Sequence, residues 1–158
     1  AREYDDDPFY LVDLLPELEF LLCVADGHAL ADQAEVSAVE LREHVKLTIM
    51  DSRTRVDISD KLAQTDGNRA FYLSDFETKK RAILMGLGYG WMPTYMVKNE
   101  LADGSLKLVN YANGKRYAFR PKFVTRLNRH FGKAGQLLKR ELLTHFAAYL
   151  GDRRPAGT

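Results

Sequence analysis

The stretch RAILMGLGYGWMPTYMV, residues 81–97, places three glycines in five positions, Gly86, Gly88 and Gly90, and follows them with Pro93. Glycine opens the backbone to positive φ and proline fixes φ, so the run has to hold a sharp corner between two elements. A phosphate cradle at a helix N-terminus is one use of such glycines. The spacing argues against it. A dinucleotide fingerprint is G-x-G-x-x-G, placed after a strand and opening a helix. Here the third glycine comes one residue early, Trp91 fills the required position, and the run follows a helical pattern.

A folding device accounts for every residue of the corner. Phe76, Ile83, Leu84 and Leu87 recur at helical spacing, so a helix beginning near Asp75 buries that stripe and stops at Gly86 or Gly88. Tyr89 to Met92 then reads as a short buried strand. Pro93 suits the first turn of a second helix, PTYMVKNELADG, which Gly104 closes.

The remaining segments extend this α/β pattern. ELEFLLCVA, 17–25, is strand-like. In SAVELREHV, Ser37 and Glu40 form a capping box, with Val36 and Leu41 as its hydrophobic staple. LTIMDS, 47–52, is a buried strand, residues 53–68 lack periodicity, and RAFYLS, 69–74, alternates as a strand. Ser74 and Glu77 repeat the capping-box spacing. LKLV and RYAFRPKFV are further strands, the second interrupted by Pro121, and Leu138, Leu142, Phe146 and Leu150 mark an amphipathic last helix before the tail GDRRPAGT, expected to be disordered. Strands alternating with helices predict a mainly parallel sheet covered on both faces.

Composition narrows the function classes. With 158 residues, 46% hydrophobic and 28% charged, the chain has apolar content for one or two small domains. Its 23 Lys and Arg are interspersed with 22 Asp and Glu, which leaves no basic face for nucleic-acid binding by this chain itself. Cys23 lies in an apolar run and reads as a buried small hydrophobe in a reducing compartment. No segment reaches the ~20 apolar residues of a membrane span, and AREYDDDP lacks a signal peptide's layout, so the expectation is a cytoplasmic protein with no membrane partner. His28, His44, His130 and His145 show no metal spacing and read as surface or hinge residues, Asp5 to Asp7 read as a solvated turn, and no G-x-S-x-G elbow occurs. Neither a catalytic constellation nor a metal or cofactor is expected.

The order ELEFLLCVADGHALA, VSAVELREHV, LTIMDS, SDFETKKRAILMGLGYGWMP and ELADGSLKLV resembles the effector-binding domain of bacterial LysR-type transcriptional regulators. In that family a strand leads into a P-x-H-P-L-A-like segment, then a V-x-L-x-x-L helix, and a G-L-G-x-x-x-x-P corner sits near the end. The match runs from about Leu11 to Arg126. It departs from the commoner pattern after LTIMDS, where many members carry a helix and an A-G-F-x-P turn.

The resemblance implies a periplasmic-binding-protein-like (type II) α/β clamshell with a small-molecule cleft at its hinge. Residues 26–116 would form the second subdomain. Residues 1–25 and 117–158 would supply strands, the return strand and the C-terminal helix of the first, whose opening elements, with a winged helix-turn-helix, are expected upstream of Ala1. It further implies a small-molecule effector, a small carboxylate or an aromatic compound; DNA bound only through the upstream domain; and a homodimer or higher oligomer. A solute-binding protein of a transport system has the same architecture and is the alternative.

In an open α/β sheet, ligands gather at the carboxyl ends of strands. Those ends nominate Ser52 and Arg53, then Ser74, Asp75 and Phe76, then Met92 and Pro93. Each has a plainer use. Ser74 can simply cap a helix, Arg53 can be a solvated side chain rather than a carboxylate clamp, and Phe76 can be core rather than a stacking platform.

Overall fold

The computed structural model describes residues 8–50, 69–128 and 132–151, with no account of the side chains of 147–151. The described residues fall into two compact units, one drawn from Ala1–Leu18 and Ala118–Thr158, the other from Glu19–Tyr117.

In the first unit, β1 (Tyr10–Leu14) pairs antiparallel with β8 (Lys122–Arg126), from Tyr10 opposite Arg126 to Leu14 opposite Lys122. The ladder is extended at both ends by Leu15 N–H to Pro121 C=O and Leu127 N–H to Phe9 C=O. Pro121 breaks the predicted long strand as expected, because it has no N–H to donate. The last helix, Lys133–Gly151, begins after Gly132, and Lys139 on it pairs with Asp13 of β1.

The second unit holds the corner. β2 (Leu18–Ala25) begins at its boundary and is buried from Phe20 to Ala25. After a loop comes α1 (Ala38–Glu43), whose capping box forms as predicted: Ser37 Oγ accepts the Glu40 N–H, and the Glu40 carboxylate accepts the Ser37 N–H at 2.7 Å. Val36 and Leu41, the expected staple, are both buried. Then follow β3 (Lys46–Ile49), β4 (Ala70–Leu73), α2 (Phe76–Leu84), β5 (Gly90–Pro93), α3 (Thr94–Asp103), β6 (Leu106–Leu108) and β7 (Arg116–Phe119). The Lys133–Gly151 helix is α4.

At the corner, Gly86 takes φ 73°, where only glycine is unstrained, and its N–H closes the helix on Ile83 C=O. Gly104, at φ 83°, ends α3 in the same way. Pro93 serves as the N-cap of α3 and the last residue of β5, one position earlier than a first-turn proline.

Leu21, Cys23, Leu47, Ile83, Met92, Val97 and Leu106 form one core. A fully buried side chain of this size contributes about 1.5–3 kcal/mol relative to leaving it exposed. The predicted mainly parallel sheet needs correction. Part of it is parallel: β4 pairs parallel with β3, and Tyr89, just ahead of β5, bridges Lys46 of β3 in parallel. β2, however, lies between β5 and β6 and is antiparallel to both, as β1 is to β8. The crossover β5–α3–β6 therefore leaves a gap one strand wide, which β2 fills in the opposite direction. No helix among the described residues is long and apolar enough to cross a membrane.

Candidate functional site

Because β4, β3 and β5 run the same way, their carboxyl ends share one edge of the second unit. β2, running the other way, starts there, with Phe20 opposite Pro93. Ser74 to Phe76 and Pro93 to Thr94 thus leave the sheet beside Glu19 and Phe20. Met50 N–H bonds Leu73 C=O at 3.1 Å and closes the edge between β3 and β4.

At the head of α2 the cap is Asp75, not Ser74. Asp75 has the extended backbone of an N-cap and its Oδ1 accepts the Thr78 N–H at 2.8 Å. The Ser74 hydroxyl donates to Asp75 Oδ2 at 2.6 Å, and the Thr78 hydroxyl donates to the same oxygen at 3.0 Å. These bonds hold the Asp75 carboxyl down at about 2, the Ser74 hydroxyl contributing most. The predicted Ser74–Glu77 box is therefore replaced: two cap-competent residues stand side by side, the second takes the position, and Glu77 faces Lys80 and Arg81. The helix start carries its own anion, and three hydroxyl or amide donors are committed to it.

Phe76 is half-buried, with its ring 5.9 Å from that of Phe20. Phe20 stacks on Tyr117 at 4.9 Å, and Tyr117 meets Trp91 edge-on at 4.9 Å. The buried Lys79 places Nζ 5.8 Å from the Phe76 centroid. Beside these rings Glu19 draws three elements together. Thr94 Oγ1 donates to its carbonyl at 3.1 Å and its carboxylate at 3.0 Å, and Arg116 meets the other carboxylate oxygen at 3.1 Å.

Of the residues nominated from sequence, Ser74, Asp75, Phe76 and Pro93 lie at this edge. Pro93 and Met92 are fully buried, Met92 within the core, so at those positions side chains are not presented outward. Ser52 and Arg53 lie outside the described residues. Sequence reasoning missed Glu19, Thr94, Arg116 and the aromatic set of Phe20, Trp91 and Tyr117. No local pattern signals them, since Glu19 is 75 positions from Thr94 and 97 from Arg116.

Cys23 donates weakly to Leu21 C=O, and burial pushes its thiol up to about 12, against a smaller opposing pull from Lys79. It is not a poised nucleophile. Among the described residues, no group of three or more His, Cys, Asp or Glu is placed to hold a metal.

Comparison with known proteins gives this geometry a lineage. No individual curated protein matches the sequence. Among solved structures, the bromide-bound regulatory domain of HypT from Salmonella typhimurium is 18% identical, with a TM-score of 0.64 over 94% of this chain and 70% of that one. The CcmR regulatory domain of Synechocystis PCC6803, in complex with 2-PG, is 15% identical, with a TM-score of 0.64 over 91% and 70%. Against full-length HypT, 18% identical with a TM-score of 0.64, 94% of this chain aligns with half of the other. These likenesses establish the fold, a type II periplasmic-binding-protein-like α/β architecture. The sequence model of the LysR substrate binding domain matches residues 1–147, nearly the whole chain, and the chain therefore belongs to that family, the ligand-sensing domains of LysR-type regulators.

Proposed function

We propose that this domain senses its small-molecule effector on the edge formed by Ser74, Asp75, Phe76 and the β5–α3 junction at Pro93 and Thr94. It does so without catalysis or cofactor, as part of a cytoplasmic LysR-type regulator acting as a homodimer or higher oligomer. Effector binding then biases the DNA-binding winged helix-turn-helix of the same protein by shifting a conformational equilibrium. The observation that carries the placement is the common carboxyl edge of β3, β4 and β5, where open α/β sheets take ligands. That CcmR's regulatory domain is found with 2-PG supports a small ligand on this fold.

Of a carboxylate and an aromatic effector, the edge favours the aromatic one. Helix N-termini attract anions, but here the Asp75 carboxylate already occupies that position, so an incoming carboxylate meets like charge. The hydroxyls of Ser74, Thr78 and Thr94 donate to carboxylates and have lone pairs to spare, so they accept. A planar compound carrying N–H or O–H donors would stack on Phe76 and donate to this set. Calorimetric titration of the chain with donor-bearing aromatics and matched aromatic carboxylates tests this. Ser74→Ala and Asp75→Asn should each weaken the donor-bearing ligand, and Asp75→Asn should strengthen the carboxylate. Binding indifferent to Ser74→Ala, Asp75→Asn and Phe76→Leu would place the effector elsewhere.

A further inference from the structure

The four histidines showed no spacing motif in sequence, yet two of them meet. His28, in the loop after β2, and His44, the C-cap of α1, have ring centroids 5.0 Å apart at an interplanar angle of 57°. Both are half-buried. Their sequence reading as surface or hinge residues did not foresee this pairing.

His28 is also tied to its own loop. Its Nδ1 accepts the N–H of Leu30 at 3.2 Å, and Leu30 is completely buried. That bond fixes the neutral tautomer, with the proton on Nε2. A metal shared by the two rings would need a free lone pair on His28, and the Leu30 amide occupies one nitrogen while the proton occupies the other. A proton has no such difficulty. Its addition at Nδ1 turns the acceptor into a second donor facing the Leu30 N–H.

We propose that His28 and His44 form a proton-operated latch on the loop of residues 26–32, closed while His28 is neutral and released when it is protonated. Release acts on two contacts at once. The Leu30 amide loses its acceptor, and the new charge stands about 5 Å from the His44 ring, whose charge opposes it. What the latch holds is the anchor of the segment leaving β2. His28 N–H to Ala25 C=O and Ala31 N–H to His28 C=O form the turns around it, and Leu30 is the one fully buried side chain between Asp26 and Glu35.

Among the charges near the loop, Lys107 of β6 is bridged to both Asp26 at 2.7 Å and Asp32 at 2.9 Å, which cancels one of the two negative charges. The other is not among the forces that set His28, which are burial and His44. Beside His44 stand Arg42 and Glu43 of α1, Lys46 at the head of β3, and Arg69, which donates to the Glu43 carbonyl. Burial and, second, the charge of His44 hold the His28 imidazole below its ordinary 6.5. The sign follows from linkage. A histidine lowered in the folded state contributes stability that is whole above its unfolded value and is lost as pH falls through that value toward the folded one.

The test is an NMR titration of the histidine rings, with hydrogen exchange of the Leu30 amide, in the 158-residue chain. His28 should titrate below 6.5, and His44→Gln should move its midpoint upward. After correction for intrinsic rates, Leu30 protection should fall about tenfold or more between pH 7.5 and 5, while the Val24 amide in the core changes little. His28→Asn offers an acceptor oxygen that does not titrate and should abolish the acid loss. A His28 midpoint at or above 6.5, an unmoved midpoint in His44→Gln, or pH-independent Leu30 exchange would each overturn the latch. So would acid loss that persists in His28→Asn. Should that variant not fold, the native chain and His44→Gln decide the matter by themselves.

Discussion

The corner in MGLGYG assigns different tasks to adjacent glycines, and substitution separates them. At Gly86 the constraint is conformational: φ is 73° and an added Cβ meets nothing within 4 Å. Alanine there costs about 1–2 kcal/mol for the left-handed conformation, and asparagine, which tolerates it, less. At Gly88 the backbone is ordinary and the constraint is steric. A Cβ would lie 2.1 Å from Val45 O and 3.0 Å from Val45 C and Cβ. Val45 O cannot retreat freely, because it accepts the Tyr89 N–H at 3.0 Å, and Tyr89 C=O in turn accepts the Leu47 N–H at 2.8 Å. Moving Val45 to ordinary contact distance strains or breaks these two buried bonds, at about 1–3 kcal/mol for each group left unpaired. Overpacking adds about 1–3 kcal/mol. Gly88→Ala should therefore destabilise by roughly 3–5 kcal/mol, well beyond Gly86→Ala. Urea unfolding measures this. With m of about 1–3 kcal/mol/M, the Gly88→Ala midpoint should fall by on the order of 2 M at unchanged m. Equal midpoints for the two alanine variants, or a larger loss at Gly86, would refute the division of labour.

Three further outcomes follow from individual contacts. Ser37→Ala removes the acceptor of the Glu40 N–H and should lower stability by about 0.5–2 kcal/mol in chemical denaturation, with Ser37→Thr, which keeps a hydroxyl to accept from that amide and donate to the Glu40 carboxylate, recovering most of it. Asp75 is held at about 2, below its ordinary 3.8, so its stabilising effect is whole above pH 4 and fades as pH falls toward 2; the difference in stability between the native chain and Asp75→Ala should shrink over that window. Cys23, with its thiol pushed up to about 12 by burial, should resist a disulfide reagent at pH 8 until denaturant unfolds the chain; prompt labelling of the native protein would contradict its place in the core.

What the sequence revealed and what it hid divide along contact distance. The α1 capping box is three residues of local chemistry, and it forms as read. The glycine stop was legible for the same reason, although only the structure distinguishes Gly86, which bends, from Gly88, which makes room. The head of α2 was misread by one residue, because Ser74 and Asp75 are both competent caps and their identities do not say which takes the extended backbone. The sheet was misread more deeply. A helix between strands reports that they are parallel to each other, but nothing in it reports that a third strand enters between them, as β2 does between β5 and β6.

That inserted strand also explains why half of the candidate edge was invisible. By running against β5, β2 brings its first residues to the carboxyl edge, so Glu19 and Phe20 arrive where the helices begin. Glu19 then fastens Thr94 and Arg116, and Phe20 links Phe76 to Tyr117. None of these pairs has a helical or strand period that a sequence window could detect. A carboxylate at Glu19 would look like a solvated strand end. In place, it accepts from Thr94 and Arg116 together, in the way that fixes a hydroxyl's orientation more firmly than a single neutral bond. Thr94 is thereby left with lone pairs free to accept, as Ser74 is by Asp75. The two hydroxyls at the edge are set as acceptors by two carboxylates from distant parts of the unit's sequence, and it is this shared polarity that the proposed effector would answer with donors.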